Sequence, residues 1–146
     1  MGLVHGRPAG ESVRQAIQQA IVPETARAGL YLYFGFWNEA HEIAQEIPDA
    51  DGSYWHGIVH RQEPDPGNAA YWVSRVGQHP IYPALAQRAA EIEPSLGGGW
   101  NPQAFIDYCE AARKKPGSET EKRALEIQRV EWRLLFDHSM RSAMRA

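Results

Sequence analysis

His56, His60 and Glu63 lie within the run YWHGIVHRQEPD, at steps of four and three residues. On a helix turning about 100° per residue, that spacing projects all three side chains within an arc of roughly 60°. Two imidazoles and a carboxylate on one face can bind a single divalent ion. Zinc and non-haem iron take nitrogen and oxygen donors of this kind, three from the protein with one position open to water or substrate. His41, on the preceding helix, offers a ligand from a second element, and His79 offers another. Glu63 then serves as a fourth ligand or as a general base beside a water acidified by the ion. Arg61 and Arg75 present planar forks that hold a carboxylate or phosphate with two parallel bonds. The reading that follows is a metal-dependent enzyme acting on a small, acidic molecule, with hydrolysis and iron-dependent oxidation both open.

The same residues admit plainer roles. Tyr54, Trp55, Ile58 and Val59 form the apolar side of the same wheel, and the His–Glu arc is turned away from it as a solvated face would be. The run lacks the Glu of an H-E-x-x-H zinc-protease motif. Arg61 and Arg75 can each pair with Glu63 or Asp65. Trp55, Tyr71 and Trp72 are expected to pack the core around the segment. On this alternative the chain is a non-catalytic ligand-binding or protein-interaction module, or a structural subunit, with hydrogen-bonded or exposed histidines. His138, near a helix C-terminus, interacts favourably with the helix dipole there and stays outside the site. His5 falls in a frayed terminus. Cys109, beside Phe105 and Ile106, reads as a small buried hydrophobe.

These side chains must be positioned by helices. Residues 11–20 have good helix formers, and Pro23-Glu24-Thr25 starts a second helix. In it Leu30, Tyr33, Phe34, Trp37, His41 and Ala44 recur at steps of three and four, placing His41 on the buried stripe. After the turn cluster at residues 48–53, Ser53 caps a helix over 54–63 that stops at Pro64. Asn68 caps the next, over 69–76, ended by Gly77, and another spans 83–92. Asn101-Pro102 opens a helix to about Lys115, and Ser118 with Glu121 forms the capping box of a long final helix to about Ser142. Its core stripe is Leu125, Trp132 and Leu135, flanked by Ile127, Val130 and Leu134. The turn between the His41 and His56 helices is short, so the two pack antiparallel and bring these imidazoles within about 8 Å. No segment alternates as a strand does. The expectation is an all-α, irregular multi-helix bundle of at least five helices, the longest at the C-terminus, forming one domain over 1–146 with residues 1–10 a flexible segment.

The chain has 146 residues, 43% hydrophobic and 23% charged, which suits one packed domain. A net charge of −3 with no basic stripe argues against nucleic acid as a partner. The absence of a long apolar run argues against a membrane span, and the opening residues do not read as a signal peptide. The single cysteine rules out an internal disulfide and a CxxC site, and the cytoplasm is the expected compartment. A small-molecule ligand and a homo-oligomer are both compatible with this composition. Gly97-Gly98-Gly99 lacks the spacing of a phosphate or dinucleotide loop.

The stretch YWHGIVHRQEPDPGNAAYWVSRVGQHP, from Tyr54 to Pro80, together with FWNEAHEIAQ ahead of it, resembles the signature of a family of uncharacterised small proteins. The resemblance implies that the region recurs as a unit, and it transfers no mechanism.

Overall fold

The computed structural model describes residues 1–142, and among them it has eight α-helices and no strand. The order is α1 (Glu11–Gln19), α2 (Glu24–Tyr33), α3 (Trp37–Glu46), α4 (Ala50–Gln62), α5 (Pro66–Ser74), α6 (Tyr82–Ile92), α7 (Pro102–Arg113) and α8 (Glu119–Ser142), with a 3-10 turn at Pro94–Leu96. The expected all-α bundle with its longest helix last is what forms. No described helix is long and apolar enough to cross a membrane.

At the centre stands α4, buried on every side from Asp51 to Gln62. The solvated-face alternative is thereby overturned: His56 and His60 retain only 4% and 7% exposure. The helix also starts earlier than Ser53. Asp49 is the cap, its carboxylate accepting the Gly52 N–H at 2.9 Å. Asp is as good a cap as Ser, and burial recruits the poor helix formers Asp51, Gly52 and Ser53 into the first turn, which makes Asp51 an inward-facing helical residue. Gly57 is required where α5 crosses: a Cβ there would come within 2.7 Å of a Val73 methyl.

The stripe read through Leu30 and His41 as one helix is two. Gly35, at φ 85°, ends α2 in a left-handed turn. The Phe36 and Gly35 N–H groups return to the carbonyls of Tyr31 (2.8 Å) and Leu32 (3.3 Å), the paired bonds of a Schellman motif. A side chain at Gly35 would also strike Arg7 and Pro8, which lie against it. The break frees α3 to turn and pack on α4.

Capping of α5 also differs. Asp65 accepts the Asn68 N–H at 3.1 Å and Pro66 fills the first turn, so the helix begins three residues before Ala69. Asn101 caps α7 as expected, at 3.1 Å to the Ala104 N–H. At α8, Ser118 Oγ accepts the Glu121 N–H (3.2 Å), while Glu121 reaches back to the Gly117 N–H (3.1 Å).

The inner face of α8 is not purely apolar. Ile127 and Leu135 are buried as expected, but Gln128, Glu131 and Ser139 lie fully buried with them, whereas Leu125, Trp132 and Leu134 are only partly covered. The polar residues are there because α4 presents Arg61, Tyr54 and Trp55 to this face. Residues 1–10, expected to be flexible, form a docked strap. Leu3 enters the core, the His5 N–H bonds the Gln62 carbonyl at 2.9 Å, and the Ala9 N–H bonds the Phe34 carbonyl at 2.9 Å.

Candidate metal centre

Helices α3 and α4 bring His41, His56 and His60 together, with one ring nitrogen of each within 4.8 Å of the others. His41 Nε2 and His56 Nε2 are 3.2 Å apart, well inside the 8 Å expected of the antiparallel link. Two nitrogens bound to one tetrahedral zinc at roughly 2.05 Å stand about 3.3 Å from each other. The observed separation therefore matches one edge of such a site. Without an ion, the same pair makes a hydrogen bond in which one Nε2–H donates to the other ring's lone pair.

Aromatic surfaces hold the rings. His56 stacks on Trp72 with centroids 3.9 Å apart, and His41 stacks on Trp37 at 5.4 Å. Trp37 is itself fixed, its indole N–H donating to the Val59 carbonyl at 2.9 Å. His5, far from frayed, lies 5.1 Å from Trp37, ring to ring. His60 Nδ1 is 2.8 Å from Glu63 Oε1, whose side chain is exposed to solvent.

Burial, reinforced by the neighbouring His60 and His41, lowers the His56 pKa to about 4. Burial and His60 also lower that of His41, against weaker opposing pulls from Glu63 and Glu42. Both rings are thus neutral at pH 7, each with one lone-pair nitrogen, the form a metal requires.

A second cluster lies near the start of α4. Asp51 Oδ1 accepts from His79 Nε2 at 2.7 Å, and Oδ2 faces His138 Nδ1 at 2.9 Å and accepts from Ser139 Oγ at 2.8 Å. The Trp55 indole N–H completes the network on Ser139 Oγ at 3.1 Å. Burial raises the Asp51 pKa, but the bonds from His79, His138 and Ser139 outweigh it and hold the carboxyl below its ordinary value. By distance this group could also hold an ion. The proton positions argue otherwise. His79 Nδ1 accepts the Ile81 N–H at 3.2 Å, so the ring proton must be on Nε2, where it donates to Asp51. A neutral imidazole that ligates through Nε2 keeps its proton on Nδ1 and donates there. The local turn at Gln78-His79-Pro80 thus assigns His79 to hydrogen bonding.

The arginines separate. Arg61, expected to bind an anion or to pair with Glu63 or Asp65, is buried against α8. Its guanidinium donates to both Glu131 oxygens (2.6 and 3.2 Å) and to Gln128 Oε1 (3.2 Å), and it covers the Phe105 ring. Tyr54 donates to the same Glu131 carboxylate at 2.9 Å. Burial works against the Arg61 charge, but Glu131 more than offsets it and holds the pKa above the ordinary value. A guanidinium fork so engaged and buried is not presented to a substrate, although its Nε has no partner. Arg75 is exposed, lies over the Tyr71 and Trp72 rings at 5.8 and 5.5 Å, and touches the Tyr71 hydroxyl at 3.4 Å. Tyr71 itself is on the surface, not in the core. Cys109 is buried as expected, and burial pushes its thiol up to about 11.

Asp51, Ser139 and His138 were missed as one group. Asp51 sits in what reads as a turn, and its partners are 87 and 88 residues away, so no local pattern announces them. No protein-family model matches the chain, and no curated protein or solved structure matches it significantly.

Proposed function

We propose that the protein is a metal-dependent enzyme in which His41, His56 and His60 hold one divalent ion, zinc or iron, and the substrate is a small acidic molecule. The observation that carries this reading is the 3.2 Å approach of two Nε2 atoms from different helices, with a third imidazole alongside. Three protein donors leave one coordination position free, as in catalytic sites and unlike the closed structural ones. An ion there would supply Lewis acidity, to polarise a carbonyl or acidify a water. The chain's own residues do the rest. Trp37 and Trp72 fix two imidazole planes and exclude water from their faces. His41 is half-buried and Glu63 exposed, so this edge of the cluster opens to solvent and gives a ligand its approach. Since Glu131 engages Arg61, Arg75 on the Trp72 ring is the cation that supports an acidic ligand.

The test is elemental analysis of the full chain purified without an affinity tag, before and after reconstitution with zinc or ferrous iron. Stoichiometric metal that His60→Ala fails to retain supports the reading. Metal content far below one ion per chain after reconstitution sinks it. Screening small carboxylates and phosphates against the metal-loaded and chelated protein then tests for turnover.

A further inference from the structure

We infer that Glu63 is a positioning residue that orients His60 toward the ion, and is neither a ligand nor a base acting on substrate. This rests on the metal reading above and assigns the role that the sequence left open. Glu63 follows α4 directly, and its N–H bonds back to the Val59 and His60 carbonyls at 3.1 and 3.2 Å, so its backbone is fixed relative to His60. Its Oε1 lies 2.8 Å from His60 Nδ1. A carboxylate only accepts, so Nδ1 carries the ring proton and Nε2 is left with the lone pair. Nε2 is then the nitrogen with which His60 can join His41 and His56.

His60, Glu63 and Asp65 also lie within reach of one ion, but for an ion at His60 Nε2 distance decides against Glu63 as a ligand. The two nitrogens of an imidazole are on opposite flanks of the ring, so an ion at Nε2 would stand about 6 Å from an oxygen hydrogen-bonded to Nδ1, against roughly 2.0–2.2 Å for a metal–oxygen bond. The carboxylate faces the ion only through the ring, which is the arrangement by which outer carboxylates fix a ligand's tautomer. The three imidazoles are thus held in different ways: His56 by stacking on Trp72, His41 by stacking on Trp37, His60 by a charged acceptor. His56 Nδ1 is buried with no partner, so Glu63 provides the one carboxylate hydrogen bond seen among the three rings in the described residues. The donor set is nitrogen only, which favours zinc over an iron site built on two histidines and a carboxylate.

The experiment uses the full chain as parent, Glu63→Gln and Glu63→Ala, with folding checked by circular dichroism. In the metal-free proteins, ring-nitrogen NMR of His60 reports which nitrogen carries the proton. The expected result is Nδ1-protonated in the parent and in Glu63→Gln, whose amide oxygen still accepts, and a loss of that tautomer in Glu63→Ala. Cobalt(II) alone is the second probe. Its ligand-field spectrum should keep its shape in Glu63→Gln, while Glu63→Ala binds it ~10–100-fold more weakly. An Nε2-protonated His60 in the parent overturns the inference whether or not metal binds. A cobalt spectrum reporting a lost ligand in Glu63→Gln, or undiminished affinity in Glu63→Ala, also overturns it. The expected tautomer in a parent that binds no cobalt breaks the metal reading itself, and reduces the Glu63 contact to a hydrogen bond.

Discussion

Helix α4 carries two histidine-bearing clusters, one near each end, and they are built on opposite principles. Around His56 and His60 the polar atoms are undersupplied with partners: two Nε2 atoms face each other and a buried Nδ1 has none. Around Asp51 the supply is complete, with His79, His138 and Ser139 all directed at one carboxylate and a backbone N–H closing the far side of His79. An undersupplied group of neutral donors is ready for an added cation. A saturated network has already used its lone pairs, and rigidifies what it joins. On the proposed reading, similar residue types at similar distances serve different ends, and the location of the protons separates them.

The largest effect should come from breaking the saturated end. Asp51→Ala strands His79, His138 and Ser139 at once and should cost about 3–5 kcal/mol, the range for removing one partner of a buried charged group. Urea unfolding measures it, and the loss should be the same with and without chelator. A loss under about 1 kcal/mol would mean that the cluster is not a fastening.

Acid should dismantle the two ends in sequence. The His56 pKa is lowered from 6.5 to about 4, so the unfolded state takes up a proton first and stability falls as pH drops from 6.5 toward 4. Asp51 is lowered from 3.8, so its contribution is intact above that value and disappears only below it. Metal-free protein unfolded in urea at a series of pH values should lose stability in the upper window first, and His56→Phe should reduce that early loss to the share of His41, whose pKa is lowered too. An unaltered early loss in His56→Phe would assign it elsewhere.

Metal should stabilise one end only. Zinc at one hundred times its dissociation constant adds about 2.7 kcal/mol to a protein that binds it when folded. Chelator should remove this increment in the parent and in His79→Gln, whereas His60→Ala and His60→Gln should never show it. Should His60→Gln instead melt like the zinc-loaded parent, the imidazole is a hydrogen-bonding group and no ligand. The smallest effect is His79→Gln itself, expected at about 1–2 kcal/mol because the amide keeps part of the bonding to Asp51. Thermal melts without metal give that figure, and a change in metal content would contradict the division between the two ends.

The sequence made one end of this comparison legible and hid the other. The i,i+4 spacing of His56 and His60 and the short link to α3 are local signals, enough to bring His41 within 3.2 Å of His56. The caps at Asn101 and Ser118 were local as well. What failed was whatever depended on a distant partner. Arg61 read as an anion binder or as a partner of Glu63 or Asp65 because Glu131 is 70 residues away. Asp51 read as a turn residue because its inward orientation follows from the burial of α4, not from Asp-Gly-Ser propensity. The break at Gly35 was overlooked because the apolar period continues across it, and period alone does not distinguish one long helix from two joined by a glycine.

The docked strap has a consequence for the order of assembly. Gln128 holds the Gly2 carbonyl at 2.9 Å and Arg113 holds that of Leu3 at 3.2 Å, across sequence separations of 126 and 110 residues. Contacts at such separations carry the largest loop-closure entropy in the chain and are usually completed after the local ones. Residues 2 and 3 are synthesised before α7 and α8, yet their seat does not exist until those helices have been made and folded onto α4. Closing the bundle over the His5 and Trp37 side is therefore a late event of folding.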